Sequence, residues 1–276
     1  MFELKFTKMQ GLGNDFIVID DLLKSVTKGI LFSPQDAVKI CDRRFGVGAD
    51  QILWLKKSKS SECDARMEIL NADGSWAEMC GNGIRAVALY LKTYAQNKQD
   101  GYRIETPAGI KRVQVVGDEI QVDMGAPVFA GRELQAETIQ VLDRPFEFYS
   151  VSMGNPHAVI FVEDLKSFPV ETYGPQIETH SRFPKRTNVE FVQITDPHSL
   201  RVRVWERGAG VTLACGTGAC ASAVAALATQ RVRGVLKVSL PGGDLKISWA
   251  GPNHSVLMQG PATEVFQGIF YLHSDS

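Results

Sequence analysis

Apolar and polar residues alternate from the very start of the chain. Phe2-Glu3-Leu4-Lys5-Phe6 has the two-residue period of a strand. The spacing predicts strands over 3–9 and 16–20, joined by the turn Gln10-Gly11-Leu12-Gly13-Asn14-Asp15. Ser33-Pro34-Gln35-Asp36 predicts a helix start, with a capping serine, proline at the first helical position and an acid at the third. Its apolar face is expected to carry Ala37, Val38, Cys41 and Phe45. Strands are predicted at 51–55 and 65–70. From Cys80 onward the period lengthens, because Ile84, Val87, Ala88 and Leu91 follow the i, i+3, i+4, i+7 rule of a helix. Alternation then returns at 102–106, 110–116 and 119–124.

After Gly125-Ala126-Pro127 the order of elements starts again. Gly154-Asn155-Pro156-His157 stands 141 positions after Gly13-Asn14-Asp15-Phe16, and Asn188-Val189-Glu190-Phe191 stands 137 after Gln51-Ile52-Leu53-Trp54. Cys80-Gly81-Asn82-Gly83 and Cys215-Gly216-Thr217-Gly218 lie 135 apart. Three landmarks in one order imply an internal repeat of about 137 residues, far above solenoid periods. The second cysteine opens a helix rich in small residues (Ala219, Ala221, Ser222, Ala223, Ala225, Ala226, Ala228), which implies close wrapping by sheet. The final alternation at 264–272 reads as a strand returning to the first half. The expected fold class is therefore α+β: two pseudo-symmetric halves, each a curled, mostly antiparallel sheet around a central helix, without parallel βαβ crossovers. The expected boundaries are 1–124 plus 263–276 for the half carrying Cys80 and 125–262 for the half carrying Cys215. A site is expected in the cleft between them.

Composition narrows the function classes. The 276 residues are 44% hydrophobic and 22% charged, with a formal net charge of −1. This balance gives no reason to expect a nucleic-acid or anionic-membrane partner. No stretch approaches the roughly 18 apolar residues of a membrane span. Met1–Phe6 lacks the apolar core of a signal peptide. The five cysteines (Cys41, Cys63, Cys80, Cys215, Cys220) are odd in number and form no C-x-x-C pair, so neither a disulfide framework nor a zinc site is expected. A reducing, cytoplasmic home follows. His180, His198, His254 and His273 show no metal-ligand spacing and are expected to be structural or at the surface. Cys41 is expected to be a buried small hydrophobe, Cys63 incidental, and Cys220 turned away from Cys215 by about 140° of helix.

The twin Cys-Gly-x-Gly segments carry the chemistry. A helix N-terminus offers free N–H groups and a partial positive charge, and glycines let an anion approach the backbone. The same setting is expected to lower a thiol's pKa. Two thiols on opposite faces of one carbon would remove a proton from one side and return it on the other without an electron-sink cofactor.

Gly11-Leu12-Gly13-Asn14-Asp15-Phe16, Asn71-Ala72-Asp73-Gly74-Ser75, Cys80–Arg85, Gly154–His157, Glu206–Gly210 and Ala214–Ala219 together resemble the diaminopimelate epimerase family, and the likeness runs over nearly the whole chain. The resemblance implies cofactor-independent conversion of LL- to meso-diaminopimelate, a step of lysine and peptidoglycan-precursor synthesis. It implies Cys80 and Cys215 as the acid/base pair, with Cys215 accepting the proton from the LL substrate and Cys80 donating. His157 and Glu206 would tune the thiols and the substrate amine. Substrate would be held by Asn14, Gln51, Asn71, Asn155, Asn188, Glu206 and Arg207, and its reacting carboxylate by Gly81, Asn82, Gly216 and Thr217. No metal or cofactor is implied, and the only assembly implied is a homodimer. One departure is Val211, where the family often has an acid. Two other classes stay open at this point: a thiol redox protein, whose paired thiols would oxidise reversibly, and a non-enzymatic amino-acid binder, which would tolerate loss of either cysteine.

Overall fold

The computed structural model describes residues 2–23, 33–95 and 98–272; His273 lies outside them. The chain divides into two compact units, Met1–Val122 with Pro261–Ser276, and Asp123–Gly260.

The first unit runs β1 (Phe2–Gly11), β2 (Asn14–Asp21), α1 (Pro34–Cys41), β3 (Gln51–Lys56), β4 (Ala65–Asn71), β5 (Trp76–Ala77), α2 (Gly81–Tyr94), β6 (Gly101–Thr106), β7 (Gly109–Val116) and β8 (Glu119–Asp123). β1 is antiparallel to β2, with Gly11 opposite Asn14. β2 lies parallel to β3, with Phe16 opposite Gln51, and β3 antiparallel to β4, with Gln51 opposite Asn71. β4 pairs β5 and, in parallel, β6; β6, β7 and β8 form an antiparallel meander.

The second unit repeats this with β9 (Ala136–Val141), β10 (Arg144–Ser152), β11 (Pro156–Phe161), α3 (Val170–Glu178), β12 (Asn188–Asp196), β13 (Ser199–Glu206), β14 (Gly210–Thr212), α4 (Gly216–Ala228), β15 (Leu236–Leu240), β16 (Gly243–Trp249) and β17 (Val256–Gly260). β10 is antiparallel to β11, β11 parallel to β12 with His157 opposite Asn188, and β12 antiparallel to β13. β13 pairs β14 and, in parallel, β15, and β15 to β17 form a meander. β18 (Thr263–Leu272) returns to the first unit and pairs β1, as the terminal alternation predicts.

Antiparallel pairs dominate, but the expectation of no parallel crossovers is wrong. β2-α1-β3 and β11-α3-β12 each carry a helix between parallel strands. The physical reason is visible in Ile52-Leu53-Trp54-Leu55, an unbroken apolar run. Such runs belong to strands covered on both faces, as parallel strands are. Ile17, Ile19, Ile52 and Trp54 pack against Ala37, Ile40 and Cys41 of α1. Phe16, Val18, Leu53 and Leu55 are buried on the opposite face, where Leu53 lies under Gly83 of α2. In the second unit Ala158, Ile160, Val189 and Phe191 face Val170, Tyr173 and Ile177 of α3. His157 and Glu190 have the opposite parity, so their side chains lie on the α4 side.

The expected apolar face of α1 is corrected in part. Ala37, Ile40 and Cys41 are buried, but Val38 and Phe45 are exposed. The helix stops at Cys41 because the Asp42 carboxylate accepts from the N–H groups of Arg44 and Phe45 and turns the chain. The Ser33 hydroxyl and the Asp36 carboxylate close a reciprocal capping box at the other end. Burial pushes the Cys41 thiol up to about 11, as suits a small core residue. α4 is buried along most of its length and packs on β10 to β13 and β15 to β17. Alanine and glycine let that many strands approach one helix.

Candidate active site

Cys80 and Cys215 occupy the same place in their units: each is the N-cap of the inner helix, with extended backbone. The Gly83 N–H points at Cys80 Sγ at 3.2 Å, and the Gly218 N–H at Cys215 Sγ at 3.4 Å. A sulfur thus takes the capping role usually held by a serine or aspartate oxygen. Space is tight at both glycines and tighter at Gly218. A Cβ on Gly83 would lie 3.0 Å from Leu53 Cδ2, and one on Gly218 only 2.7 Å from Glu190 Oε1. Gly81 and Gly216 are buried at the first helical positions.

In the first unit Cys80 and Asn82 share one acceptor, the side-chain oxygen of Asn14. Asn14 Oδ1 lies 3.5 Å from Cys80 Sγ and 3.4 Å from Asn82 Nδ2, while Asn14 Nδ2 donates to Asp50 at 2.8 Å. Asn82 Oδ1 accepts from Arg85, a fully buried guanidinium that also donates to the carbonyls of Gly81 and Pro261. Gln51 and Asn71 face each other on β3 and β4, with Gln51 Nε2 donating to Asn71 Oδ1 at 2.8 Å. Gln51 Oε1 is buried with no hydrogen-bond partner among the described residues. Asn71 Nδ2 donates to Ser75, so the asparagine also serves its turn.

In the second unit a chain of contacts leads to the sulfur. Cys215 Sγ lies 3.5 Å from Thr217 Oγ1, which accepts from Asn155 Nδ2 at 3.3 Å. Asn155 Oδ1 faces His157 Nε2 at 3.0 Å, and His157 Nδ1 meets Glu190 Oε1 at 2.7 Å. Asn188 is buried, donating to the Pro156 carbonyl and accepting from the Arg207 N–H. The Glu206 carboxylate accepts from Thr212 at 2.6 Å, and the Arg207 guanidinium reaches the Lys185 carbonyl. The structure thus brings Cys80, Gly81, Asn82, Asn14, Gln51 and Asn71 together in one unit. In the other it gathers Cys215, Gly216, Thr217, Asn155, His157, Asn188, Glu206 and Arg207. Val211 sits exposed on β14 opposite Trp205, away from Cys215's contacts.

The expected lowering of the thiol pKa at a helix start is reversed at Cys215. Burial pushes this thiol well above its ordinary value, and the negative charges of Glu206 and Glu190 add to it. The contacts from Thr217 and Gly218 pull the other way and lose. Burial also raises the Glu206 carboxyl, against the hydrogen bond from Thr212. Burial outweighs the Thr217 and Gly218 contacts here because the sulfur is nearly enclosed.

The family model for diaminopimelate epimerase matches residues 6–130 and 149–265, almost the entire chain. The chain belongs to the diaminopimelate epimerase family. A diaminopimelate epimerase from Cyanothece sp. (strain PCC 7425 / ATCC 29141) is 47% identical over 281 residues, covering 96% of this chain and 99% of its own length. Two solved structures share the fold at 16% identity. A hydroxyproline epimerase from Agrobacterium vitis with bound trans-4-hydroxy-L-proline has a TM-score of 0.71 and covers 98% of this chain and 91% of its own. A Bacillus anthracis phenazine biosynthesis protein of the PhzF family has a TM-score of 0.72, with coverage of 99% and 100%. The fold is thus shared with proteins outside the diaminopimelate epimerases.

Sequence reasoning named no role for Glu190, Asp50 or Arg85, all of which contact the expected site residues. For Glu190 a signal was present: it is an acid in the apolar run Val189-Glu190-Phe191-Val192, on a strand buried on both faces.

Proposed function

We propose that this member of the family interconverts LL- and meso-diaminopimelate by a two-base mechanism, with Cys80 and Cys215 acting on opposite faces of the α-carbon. The observation that carries the reading is the pair of N-cap thiols, each at a glycine-lined helix start with an N–H aimed at its sulfur. In the LL direction the Cys215 thiolate takes the α-proton, and the electron pair of the C–H bond remains on the α-carbon and its carboxylate. The Cys80 thiol delivers a proton to the other face, leaving the Cys215 thiol and the Cys80 thiolate. The reverse direction exchanges their roles. The α-carboxylate is stabilised by N–H donors at Gly81, Asn82, Gly216 and Thr217.

The carboxylates of Glu206 and Glu190 oppose a thiolate at Cys215, and an incoming substrate ammonium offsets that charge. The unpartnered Gln51 Oε1 is a ready acceptor for an ammonium N–H. Asn14, Asn71, Asn155, Asn188 and Arg207 complete recognition of a substrate with two amino-acid ends. Enclosure of the bound substrate excludes water, and no pyridoxal cofactor takes part. The enzyme works as a cytoplasmic homodimer. Among the described residues no helix is long and apolar enough to cross a membrane.

The test follows reduced protein with LL-diaminopimelate in deuterated water, by NMR and chiral chromatography. The expected result is meso product carrying deuterium at one α-carbon, with no added cofactor. Absence of both isomerisation and α-hydrogen exchange in folded, reduced protein would sink the assignment in favour of a redox or binding role.

A further inference from the structure

The two units differ most where the repeat is otherwise closest. β3 and β12 begin Gln51-Ile52-Leu53 and Asn188-Val189-Glu190, so Leu53 and Glu190 are equivalent, and each lies under the second glycine of its Cys-Gly-x-Gly turn. Phe16 and His157 are equivalent too, facing Gln51 and Asn188 across parallel ladders. Beneath Cys80 the pair is Phe16 and Leu53, both fully buried and apolar; beneath Cys215 it is His157 and Glu190, both fully buried and ionisable.

A buried carboxylate in place of a leucine carries a desolvation cost, and it persists in a packed core only where its partners and its task offset that cost. Here one oxygen meets His157 Nδ1 at 2.7 Å, and the other, Oε2, is buried with no hydrogen-bond partner among the described residues. The His157–Glu190 contact fixes the imidazole plane. His157 Nε2 then holds Asn155 Oδ1, which turns Asn155 Nδ2 toward Thr217, whose hydroxyl touches Cys215 Sγ.

We propose that Glu190 is a positioning residue of the reaction. Acting through His157, Asn155 and Thr217, it sets the hydrogen bonding of the Cys215 sulfur and makes the two thiols of the duplicated fold inequivalent. This rests on the two-thiol reading above. The groups facing the pair are Glu206 from β13 and the Cys215 thiol at the start of α4. With two carboxylates and a thiol around it, His157 is the one basic side chain in this set.

The test compares Glu190→Gln with wild type in epimerisation and α-hydrogen exchange, measuring kcat and KM from pH 6 to pH 10. Glutamine preserves shape and an acceptor but removes the charge. The expected result is a kcat lower by about 10²-fold, the scale of a misplaced catalytic group. KM should stay within a few-fold, and the pH profile of kcat should be displaced. A residue with only a packing role would lower thermal stability and leave that profile in place. Folded Glu190→Gln protein with the wild-type kcat and pH profile would overturn the proposal.

The double variant His157→Phe/Glu190→Leu rebuilds the apolar pair of the first unit and leaves no unpaired buried charge, so it keeps the question open to test if the single variant fails to fold. Retained exchange in that folded double variant overturns the proposal. A loss equal to that of His157→Phe alone supports it, because the acid then acts through the imidazole, and a further loss beyond that variant's overturns the route through His157. Failure of wild-type protein itself to exchange the α-hydrogen would fall on the epimerase reading instead.

Discussion

Gly218 faces Glu190 with no room for a side chain between them: a single methyl group added at the glycine would lie 2.7 Å from the carboxylate oxygen. The glycine therefore opens the helix start toward an anion on one side and makes room for a buried acid on the other. Gly218→Ala is expected to destabilise the protein by about 1–3 kcal/mol, the usual cost of overpacking. Gly83→Ala meets a leucine methyl at 3.0 Å, which can turn aside, and the cysteine contacts at 3.3 Å are common to both glycines, so it should cost less. Urea unfolding midpoints of the two variants would decide; a larger loss for Gly83→Ala would contradict the steric account.

Cys80→Ser and Cys215→Ser should each lower epimerisation by about 10²–10⁴-fold, the usual worth of a general acid or base. Substrate affinity should change far less. Steady-state kinetics combined with calorimetric binding checks this, and near-normal turnover in either variant would end the two-thiol scheme.

The thiol of Cys215 is raised first by burial and then by the Glu206 charge. Its alkylation by iodoacetamide in substrate-free enzyme should therefore be slow near neutrality and accelerate as pH rises. Glu206→Gln removes one of the opposing charges, so the alkylation profile should move to lower pH. Mass-spectrometric rates at Cys215 across a pH series give the measurement. A profile that moves upward, or not at all, would show that Glu206 does not act on this sulfur by charge.

Asp15 is held at about pKa 2. Burial alone would raise it, but the hydrogen bonds and charges of Arg43 and Lys8 together outweigh burial. The folded value lies below the unfolded one, so this carboxylate contributes stability that is fully present above about pH 4. That contribution disappears as pH falls toward 2. Asp15→Asn should be less stable than wild type at neutral pH, with the difference shrinking over that acid window. Thermal unfolding at pH 7, 4 and 2.5 would show it, and a gap that stayed constant with pH would refute the ion-pair account.

Much of this protein is legible in the order of its residues. The repeat was visible because equivalent turns need the same residue types: a glycine-asparagine turn into β2 and into β11, and a cysteine with two glycines at each inner helix. Local physics sets those positions, so they recur in sequence. Cys41, His198 and His254 lie where pattern and composition place them, the first buried and the others exposed. The parallel pairing of β2 with β3 was missed because period-two alternation reports which face is wet, and these strands have no wet face.

Residue order by itself determined the duplicated plan and the two capping thiols, since each depends on short-range turn and helix-start chemistry; the asparagines were expected only through the family resemblance. Tertiary structure decided the charge environment. It placed Glu190 under Gly218 and against His157, two residues that lie 28 and 33 positions away in the chain. It also enclosed Cys215 so fully that burial overrode the contacts from Thr217 and Gly218. A thiol's ionisation depends on everything within several ångströms, and only the folded chain determines which groups those are.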